Sequence, residues 1–206
     1  MKFDILTLFP EMFGALEHSI IKRARDAKKI EINYVNFRDY TKDKHRRVDD
    51  SPYGGGAGLV LTAQPIVDCV EAIDPKRMAR RIFLTPAAPV LTQARVRELA
   101  KHEHLILLCG HYEGVDQRAI DLCIDECISI GEYVLTGGEI PAMALVDAIA
   151  RHVGGVIKAE SVDNESFSVE GRHEHPQYTR PREFRGLGVP EILLNGNHAE
   201  IKKWRA

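Results

Sequence analysis

Residues 129–141 read S-I-G-E-Y-V-L-T-G-G-E-I-P, and within them a strand-like apolar start passes through three glycines into a helix start. Glycine lets a backbone approach a ligand closely or adopt positive φ. A second glycine loop, C-G-H-Y-E-G-V-D at residues 109–116, also follows an apolar run. Two such loops at strand ends indicate either one ligand held by main-chain groups or two tight strand-to-helix turns without a ligand.

The composition bounds the class of protein. A chain of 206 residues with 44% hydrophobic residues is enough for one ordinary domain, or one domain with a small appendage. With a net charge of −2, the protein surface as a whole is not basic. An anionic partner would therefore have to bind to local clusters of basic residues. The amino terminus leads directly into a strand pattern and the apolar runs are too short to span a membrane, which predicts a cytoplasmic protein with no membrane partner.

Strand and helix patterns alternate along the first 153 residues. This alternation predicts an α/β domain with a largely parallel sheet, whose ligands lie beyond the carboxyl ends of the strands. Three such ends, at Thr85–Pro86, Cys109–Gly110 and Ile130–Gly131, favour the ligand-bound interpretation of the glycine loops. The predicted strands are residues 3–9, 30–37, 81–85, 105–109 and 124–130, and the predicted helices are residues 20–28, 62–73, 92–102, 116–122 and 139–153, with Thr62 and Thr92 as N-caps.

Residues 38–61 are predicted to form a long loop. They contain the basic run K-D-K-H-R-R, at residues 42–47, and the glycine cluster P-Y-G-G-G-A-G, which matches neither the phosphate-loop nor the dinucleotide pattern. The basic run is either a phosphate-contacting patch or a solvated loop face, because aspartates follow it immediately. The four cysteines form no C-x-x-C pair, so we expect buried free thiols and no metal site.

The last part of the chain has a different composition. Residues 159–174 are polar and acidic and predict a linker. Residues 175–206 begin with a proline-fixed extended segment, and then predict a short helix through Leu194 and another capped by Asn197. About thirty residues are too few for an independent core, so we expect them to pack on something, such as a partner chain.

Five motifs together carry a family resemblance: the two glycine loops quoted above, the glycine cluster at 52–58, H-P-Q-Y-T-R-P at 175–181 and L-N-G-N-H-A-E-I-K-K-W-R at 194–205. The chain resembles the bacterial tRNA (guanine-N1)-methyltransferases of the TrmD type, in the SPOUT superfamily. The resemblance implies a parallel α/β sheet with a deep C-terminal trefoil knot in residues 1–158, a linker at 159–174, and a small helical tRNA-binding domain at 175–206. It also implies a homodimer with active sites at the subunit interface.

The resemblance further implies that S-adenosyl-L-methionine is the methyl donor and that N1 of the guanosine 3′ of the anticodon, position 37, is methylated. Glycine-rich turns suit the planar adenine of such a ligand. Ala88 stands where the family often has glycine, so the local fit is expected to differ. The implied methyl-donor residues are Leu84, Thr85, Pro86, Gly110, Tyr112, Glu113, Gly114, Ile130, Gly131, Glu132, Tyr133, Val134, Leu135, Gly137 and Gly138.

Two catalytic residues are implied by position. Glu165 corresponds to a family carboxylate, commonly aspartate, and would act as general base toward guanine N1, while Asp163 is a rival for that role. Arg151 would stabilise charge that develops at O6. By local sequence alone, Glu165 is an ordinary linker acid and Arg151 is a cation at the carboxyl end of a helix.

The implied tRNA contacts lie in local patches. Relatives usually continue beyond the position of Ala206, so a shortened chain is expected to transfer methyl groups weakly if the missing part contacts tRNA. A methyltransferase acting on a different RNA, and a non-enzymatic binding module, are the alternatives. The implied tRNA-binding residues are Lys44, Arg46, Asp50, Arg180, Arg182, His198, Lys202 and Lys203.

Overall fold

A computed structural model describes residues 1–157, 166–167 and 175–205. The chain separates into two compact units, Met1–Lys158 and Ala159–Ala206. No helix among the described residues is both long enough and apolar enough to cross a membrane.

The first unit is built on a five-stranded sheet in the order β2-β1-β6-β5-β7, and every pair of neighbouring strands is parallel. The predicted parallel α/β architecture is therefore confirmed. All strands of this unit, including a separate two-stranded pair, are β1 (Lys2–Thr7), β2 (Glu31–Asn36), β3 (Asp49–Asp50), β4 (Val60–Leu61), β5 (Arg80–Leu84), β6 (His104–Cys109) and β7 (Glu126–Ile128).

Helices cover both faces of this sheet. Along β6, Leu105, Leu107 and Cys109 belong to one apolar cluster, while Ile106 and Leu108 belong to the other. This alternation explains why the central strand reads as a continuous apolar run. The helices of the first unit are α1 (Ser19–Asp26), α2 (Ala63–Ile73), α3 (Gln93–Leu99), α4 (Gln117–Cys123) and α5 (Glu139–Ala150), with 3-10 helices at Pro10–Glu17 and Phe37–Tyr40.

The two predicted N-caps differ in outcome. The Thr92 side chain accepts a hydrogen bond from the Arg95 NH at 3.2 Å, so this cap is confirmed. Thr62 holds the N-cap position of α2 but makes no capping hydrogen bond. Its hydroxyl instead donates to the Val48 carbonyl at 3.1 Å, because the strand pair β3–β4 brings that carbonyl beside it.

The prediction of a structureless loop at 38–61 is wrong in part. The loop contains the end of a 3-10 helix and the antiparallel pair β3–β4, whose two-residue strands are too short to show a periodic pattern. It is also fixed to the second glycine loop, since the Glu113 NH donates to the Leu59 carbonyl at 3.0 Å and the Leu61 NH donates to the Gly114 carbonyl at 2.9 Å.

Strand β7 is shorter than the predicted strand at 124–130. Beyond its end, the Ser129 NH donates to the Pro89 carbonyl at 3.0 Å, and the Ser129 carbonyl accepts from the Leu91 NH at 2.8 Å. Residue 129 therefore pairs with the loop that follows β5 and not with a strand of the sheet.

A buried polar cluster lies toward the amino ends of β1 and β6. Asp4 is 2% exposed and accepts hydrogen bonds from Lys2 at 2.7 Å and Asn33 at 2.9 Å, and it lies 2.8 Å from His104 Nε2. Burial alone raises the pKa of Asp4, but the hydrogen bonds outweigh burial and hold the pKa below its usual 3.8.

The second unit is not purely helical, which corrects that part of the prediction. It contains the hairpin of β8 (Glu183–Phe184) and β9 (Leu187–Gly188), a 3-10 helix (Glu191–Leu193) and α6 (His198–Trp204). Arg185 and Gly186 both have positive φ, which is the backbone of a tight two-residue hairpin turn.

Helix α6 begins at the predicted cap. The Asn197 side chain accepts from the Glu200 NH at 3.4 Å, which confirms the predicted cap. The Trp204 ring lies 5.6 Å from the His175 ring and 6.4 Å from the Tyr178 ring, so Trp204 anchors the helix within this unit.

Candidate functional site

A cavity of about 350 Å³ lies at the carboxyl ends of β5, β6 and β7. The loops after these three strands line it, as the convergence of strand ends predicts. Of the residues implied for the methyl donor, only Glu132 is not among the lining residues, and its side chain is exposed. Those that line the cavity are Leu84, Thr85, Pro86, Gly110, Tyr112, Glu113, Gly114, Ile130, Gly131, Tyr133, Val134, Leu135, Gly137 and Gly138.

Several lining residues were not predicted. His111 is the most consequential, since it is a polar side chain within the C-G-H-Y-E-G-V-D motif, and both of its neighbours, Gly110 and Tyr112, are among the implied residues. The others follow from the same strand ends and loops. They are Phe83, Ala87, Ile128, Ser129, Thr136 and Pro141.

The two adjacent glycines at the start of α5 are required for different reasons. A Cβ atom on Gly138 would lie 2.6 Å from the Cys109 Cα and 2.9 Å from the Gly110 nitrogen, so backbone packs directly on backbone. The Gly138 NH also donates to the Gly110 carbonyl at 2.9 Å. A Cβ on Gly137 would meet side chains, 2.5 Å from His111 Nε2 and 2.6 Å from Glu139 Oε2. The glycine pair thus holds the loop between β7 and α5 (residues 129–138, called the third loop because it follows the loops after β5 and β6) against the end of β6.

A hydrogen-bonded triad of side chains lies behind this loop. The Thr7 hydroxyl donates to Glu139 Oε1 at 2.7 Å, and His111 Nε2 lies 2.8 Å from Glu139 Oε2. Glu139 is completely buried, at the first position of α5, where the helix dipole favours a negative charge. The triad links the end of β1, the loop after β6 and the start of α5, which are far apart in sequence.

The ring of His111 is held by packing as well as by its hydrogen bond. The Phe9 ring lies 4.8 Å from it in a tilted arrangement, and the Phe9 NH donates to the Thr7 hydroxyl at 2.9 Å. Only 15% of the His111 side chain is exposed. The imidazole is therefore fixed in position at the cavity wall.

The second glycine loop is supported from the side by β4, since the Leu61 NH donates to the Gly114 carbonyl at 2.9 Å. Tyr112 in this loop has positive φ. Burial raises the pKa of Tyr112, and an interaction with Asp49 adds to the rise. The segment predicted as a free loop thus buttresses the cavity.

Of the two implied catalytic residues, Arg151 is described by the structure and Glu165 is not. Arg151 is the C-cap residue of α5, is half-buried, and is not among the residues that line the cavity. Its backbone NH donates to the Asp147 carbonyl at 3.3 Å. Glu165 and its rival Asp163 lie outside the described residues.

The basic run at 42–47 is partly neutralised within its own loop. Arg46 pairs with Asp39, and Arg47 pairs with Asp43 at 3.0 Å. Lys42 pairs with Asp68 of α2 at 2.7 Å, which leaves Lys44 and His45 without a salt bridge to the described part of the chain. Hydrogen bonds from Arg47 hold the pKa of Asp43 well below its usual range. Asp50 is exposed and its side chain accepts from the Ser51 NH at 2.8 Å.

The implied tRNA-binding residues of the second unit are all exposed: Arg180, Arg182, His198, Lys202 and Lys203. Arg182 pairs with Glu191 at 2.7 Å. Lys202 and Lys203 lie in the last turn of α6. The structure therefore leaves these side chains accessible, as phosphate contacts require.

The cysteines are free thiols, as expected from their spacing. Cys69, Cys109 and Cys123 are buried, whereas Cys127 is half-buried. Burial raises the pKa of Cys69 to about 12 and that of Cys123 to about 11. Burial also raises the pKa of Cys109 and, less strongly, that of Cys127.

Comparisons with known proteins match the whole chain. The family described as tRNA (Guanine-1)-methyltransferase TrmD matches residues 1–206. A protein of Caldicellulosiruptor saccharolyticus named tRNA (guanine-N(1)-)-methyltransferase is 57% identical over 206 residues, covering 100% of this chain and 84% of the relative. Proteins with the same name from Carboxydothermus hydrogenoformans and Ruminiclostridium cellulolyticum are 56% and 52% identical, each over 100% of this chain and over 81% and 89% of their own lengths.

Proposed function

We propose that this chain, which belongs to the tRNA (guanine-1)-methyltransferase family, transfers a methyl group from S-adenosyl-L-methionine to N1 of the guanosine at position 37 of tRNA. The observation that carries the proposal is the cavity at three strand ends, formed by the same glycine loops that carry the family motifs. We also propose a cytoplasmic location, which fits a tRNA substrate.

The cavity suits a nucleoside-containing methyl donor. Its volume of about 350 Å³ lies within the range of small-ligand sites. Apolar side chains from Leu84, Ile130 and Leu135 supply walls for a planar base, while the glycines bring main-chain groups close to it. When bound, S-adenosyl-L-methionine supplies an electrophilic methyl group on its sulfonium.

The chemistry at guanine requires a base and a cation. Guanine N1 carries a proton at neutral pH, and Glu165 is proposed to remove it, with Asp163 as the alternative base. Arg151 is proposed to stabilise the negative charge that develops at O6 as the proton leaves. The roles proposed for Glu165 and Arg151 are both carried over from the resemblance to the family.

A homodimer with shared active sites is the proposed assembly. Tyr133 and Val134 line the cavity and are 54% and 81% exposed in the single chain, and Ile140 in the first turn of α5 is 49% exposed. Clustered exposed apolar groups are typical of an interaction surface. Arg151 does not line the cavity of its own chain, and its proposed action on the substrate of a second copy comes from the family resemblance.

A trefoil knot in the carboxyl-terminal half of the first unit is also proposed. After β7, at the edge of the sheet, the chain returns across the end of β5, where Ser129 pairs with residues 89–91. It then packs Gly138 on Cys109–Gly110 at the end of β6. This path of the chain back over two strands supports the proposal that the segment after β7 passes through the loop at 85–91.

The test is transfer of labelled methyl groups from S-adenosyl-L-methionine to tRNA, ribosomal RNA and total RNA in parallel. We expect label in purified tRNA and, within total RNA, in the tRNA fraction alone, with none in ribosomal RNA. Label confined to ribosomal RNA would instead identify a methyltransferase with another substrate, and binding of donor and RNA without transfer would identify a non-enzymatic module.

The proposed base is tested within the same assay. Glu165→Gln is expected to lower the transfer rate by at least about 100-fold while leaving affinity for the methyl donor unchanged, because a general base acts on the chemical step. Asp163→Asn is the matched control. A loss confined to Asp163→Asn would move the role of base to that residue.

A further inference from the structure

We propose that His111 binds the methyl donor through its Nδ1 atom, and that Glu139 and Thr7 are positioning residues that keep Nδ1 as a hydrogen-bond acceptor. The inference rests on the proposed function and adds a contact to it. It depends on the triad behind the third loop, in which each hydrogen bond has one available direction.

The direction of the first hydrogen bond is set by Thr7. Its hydroxyl oxygen already accepts from the Phe9 NH, so its proton points to Glu139 Oε1 at 2.7 Å. Glu139 is fully buried at the first position of α5, where the helix dipole stabilises a carboxylate. An ionised carboxylate only accepts hydrogen bonds.

The direction of the second hydrogen bond follows from the first. Glu139 Oε2 lies 2.8 Å from His111 Nε2, so Nε2 must carry the proton that it shares with the carboxylate. In a neutral imidazole the other nitrogen is then unprotonated and is an acceptor. The Phe9 ring packs against the imidazole, with 4.8 Å between the ring centroids, and this packing fixes the orientation of the imidazole.

The location of the ring determines what Nδ1 meets. His111 lines the cavity together with Tyr112 and Gly137, and Nε2 is committed to Glu139 on the buried side. Nδ1 is therefore the ring nitrogen that remains for a ligand. The matching groups on the methyl donor are hydrogen-bond donors: the ammonium of its amino-acid part, or the hydroxyl and amino groups of its nucleoside part.

The experiment measures ligand affinity by calorimetry. S-adenosylhomocysteine and methylthioadenosine are the probes, because the second lacks the amino-acid part. His111→Gln is the informative variant, since a glutamine amide reaches the Nε2 position and keeps a donor for Glu139 but removes the acceptor at Nδ1. His104→Gln is the matched control, since His104 has the same 2.8 Å contact with a buried carboxylate, Asp4, at the opposite edge of the sheet.

We expect His111→Gln to weaken S-adenosylhomocysteine binding about fivefold, the factor for one hydrogen bond of about 1 kcal/mol, and His104→Gln to leave it unchanged. If methylthioadenosine binding is weakened equally, the hydrogen-bond donor of the ligand lies in its nucleoside part. If methylthioadenosine binding is unchanged, the hydrogen-bond donor is the ammonium. Unchanged affinity for both probes overturns the proposal.

A second measurement reads the tautomer of His111 in the unmodified chain, and variants serve only to assign its signals. Nitrogen-15 NMR of labelled histidines, with His111 assigned from its missing signals in His111→Gln or His111→Asn, should show the Nε2–H tautomer and a shift of Nδ1 when S-adenosylhomocysteine binds. An Nδ1–H tautomer, or an Nδ1 signal that the ligand does not move, overturns the assignment. Glu139→Gln should weaken the preference for the Nε2–H tautomer if Glu139 has the positioning role.

Failure of this inference is distinguishable from failure of the proposed function. If the parent chain binds the probes and methylates tRNA while His111→Gln binds them equally well, only the contact at Nδ1 is wrong. If the parent chain neither binds the probes nor transfers methyl groups, the proposed function itself is wrong.

Discussion

Replacing Gly138 by alanine is expected to destabilise the fold and the cavity together. Its backbone has ordinary helical dihedrals, with φ −84° and ψ −4°, so alanine introduces no conformational strain there. The cost comes from the new Cβ, which would lie 2.6 Å from the Cys109 Cα and 2.9 Å from the Gly110 nitrogen. Backbone atoms in the central strand cannot rotate away, so the third loop must move.

The magnitude follows from two effects. Overpacking of a dense interior costs about 1–3 kcal/mol, and loss of the 2.9 Å hydrogen bond from the Gly138 NH to the Gly110 carbonyl costs about 1 kcal/mol more. The free energy of unfolding should therefore fall by about 2–4 kcal/mol. At about 2–4 °C per kcal/mol for a chain of this size, the midpoint of thermal unfolding should drop by roughly 4–16 °C.

The assay is urea unfolding followed by circular dichroism, together with calorimetric titration of S-adenosylhomocysteine. Gly14→Ala is the matched control, because a Cβ there meets nothing within 4 Å and its φ is not positive. We expect this control to change the free energy of unfolding by less than about 0.5 kcal/mol. A Gly138→Ala protein as stable as the control, with unchanged ligand affinity, would refute the claim that backbone contact at this glycine shapes the cavity.

Three other predictions concern charge and exposure. Asp4→Asn should lower the free energy of unfolding at pH 7 by about 2 kcal/mol. Because the folded-state pKa of Asp4 is lowered, its stabilisation is full above the usual 3.8 and is lost as pH falls through the folded value. A difference in the free energy of unfolding that does not shrink as pH falls below 3.8 in urea titrations would contradict this. Cys127 should react first with an aromatic disulfide reagent in the native protein, since it is the least buried cysteine, and Cys127→Ser should remove that rapid phase; a rapid phase that survives would be inconsistent with the burial pattern. Lys202→Ala and Lys203→Ala should each reduce the slope of log affinity for tRNA against log salt by about 0.9, with Lys76→Ala as an exposed control; an unchanged slope would remove these lysines from the phosphate contacts.

The architecture of the first unit follows from local sequence patterns. The apolar run at 105–109 predicts the central strand because both of its faces are covered, and strand β6 has that position. Glycines after strands predict the cavity, because the carboxyl ends of parallel strands share one edge of the sheet. These features depend on periodicity and on strand direction, both of which can be read from short segments.

The parts that were missed depend on contacts between distant segments. Strands β3 and β4 are two residues each and exist because they pair with one another and with the loop at 113–116. The β8–β9 hairpin turns at Arg185 and Gly186, and an arginine at a positive-φ position is not a recognised turn signal, although Gly186 is.

The triad is the clearest case of a site feature that sequence could not supply. Thr7 and Glu139 are separated by 132 positions, and each has an ordinary local interpretation, one as a strand residue and the other as an acid in the first turn of a helix. Only the fold brings them to His111. His111 itself lies inside a predicted ligand loop. A polar side chain just after a strand end is a signal that the sequence contains and that predicts a ligand contact.

The most direct test of the central claim is to map the methyl group by mass spectrometry of nuclease fragments after reaction of tRNA with S-adenosyl-L-methionine and this chain. A transcript with guanosine at position 37 should yield 1-methylguanosine at that position, and a matched transcript with adenosine there should yield none. A methyl group on another atom or at another position, or no transfer under conditions in which a relative such as the Caldicellulosiruptor saccharolyticus protein is active, would contradict the account.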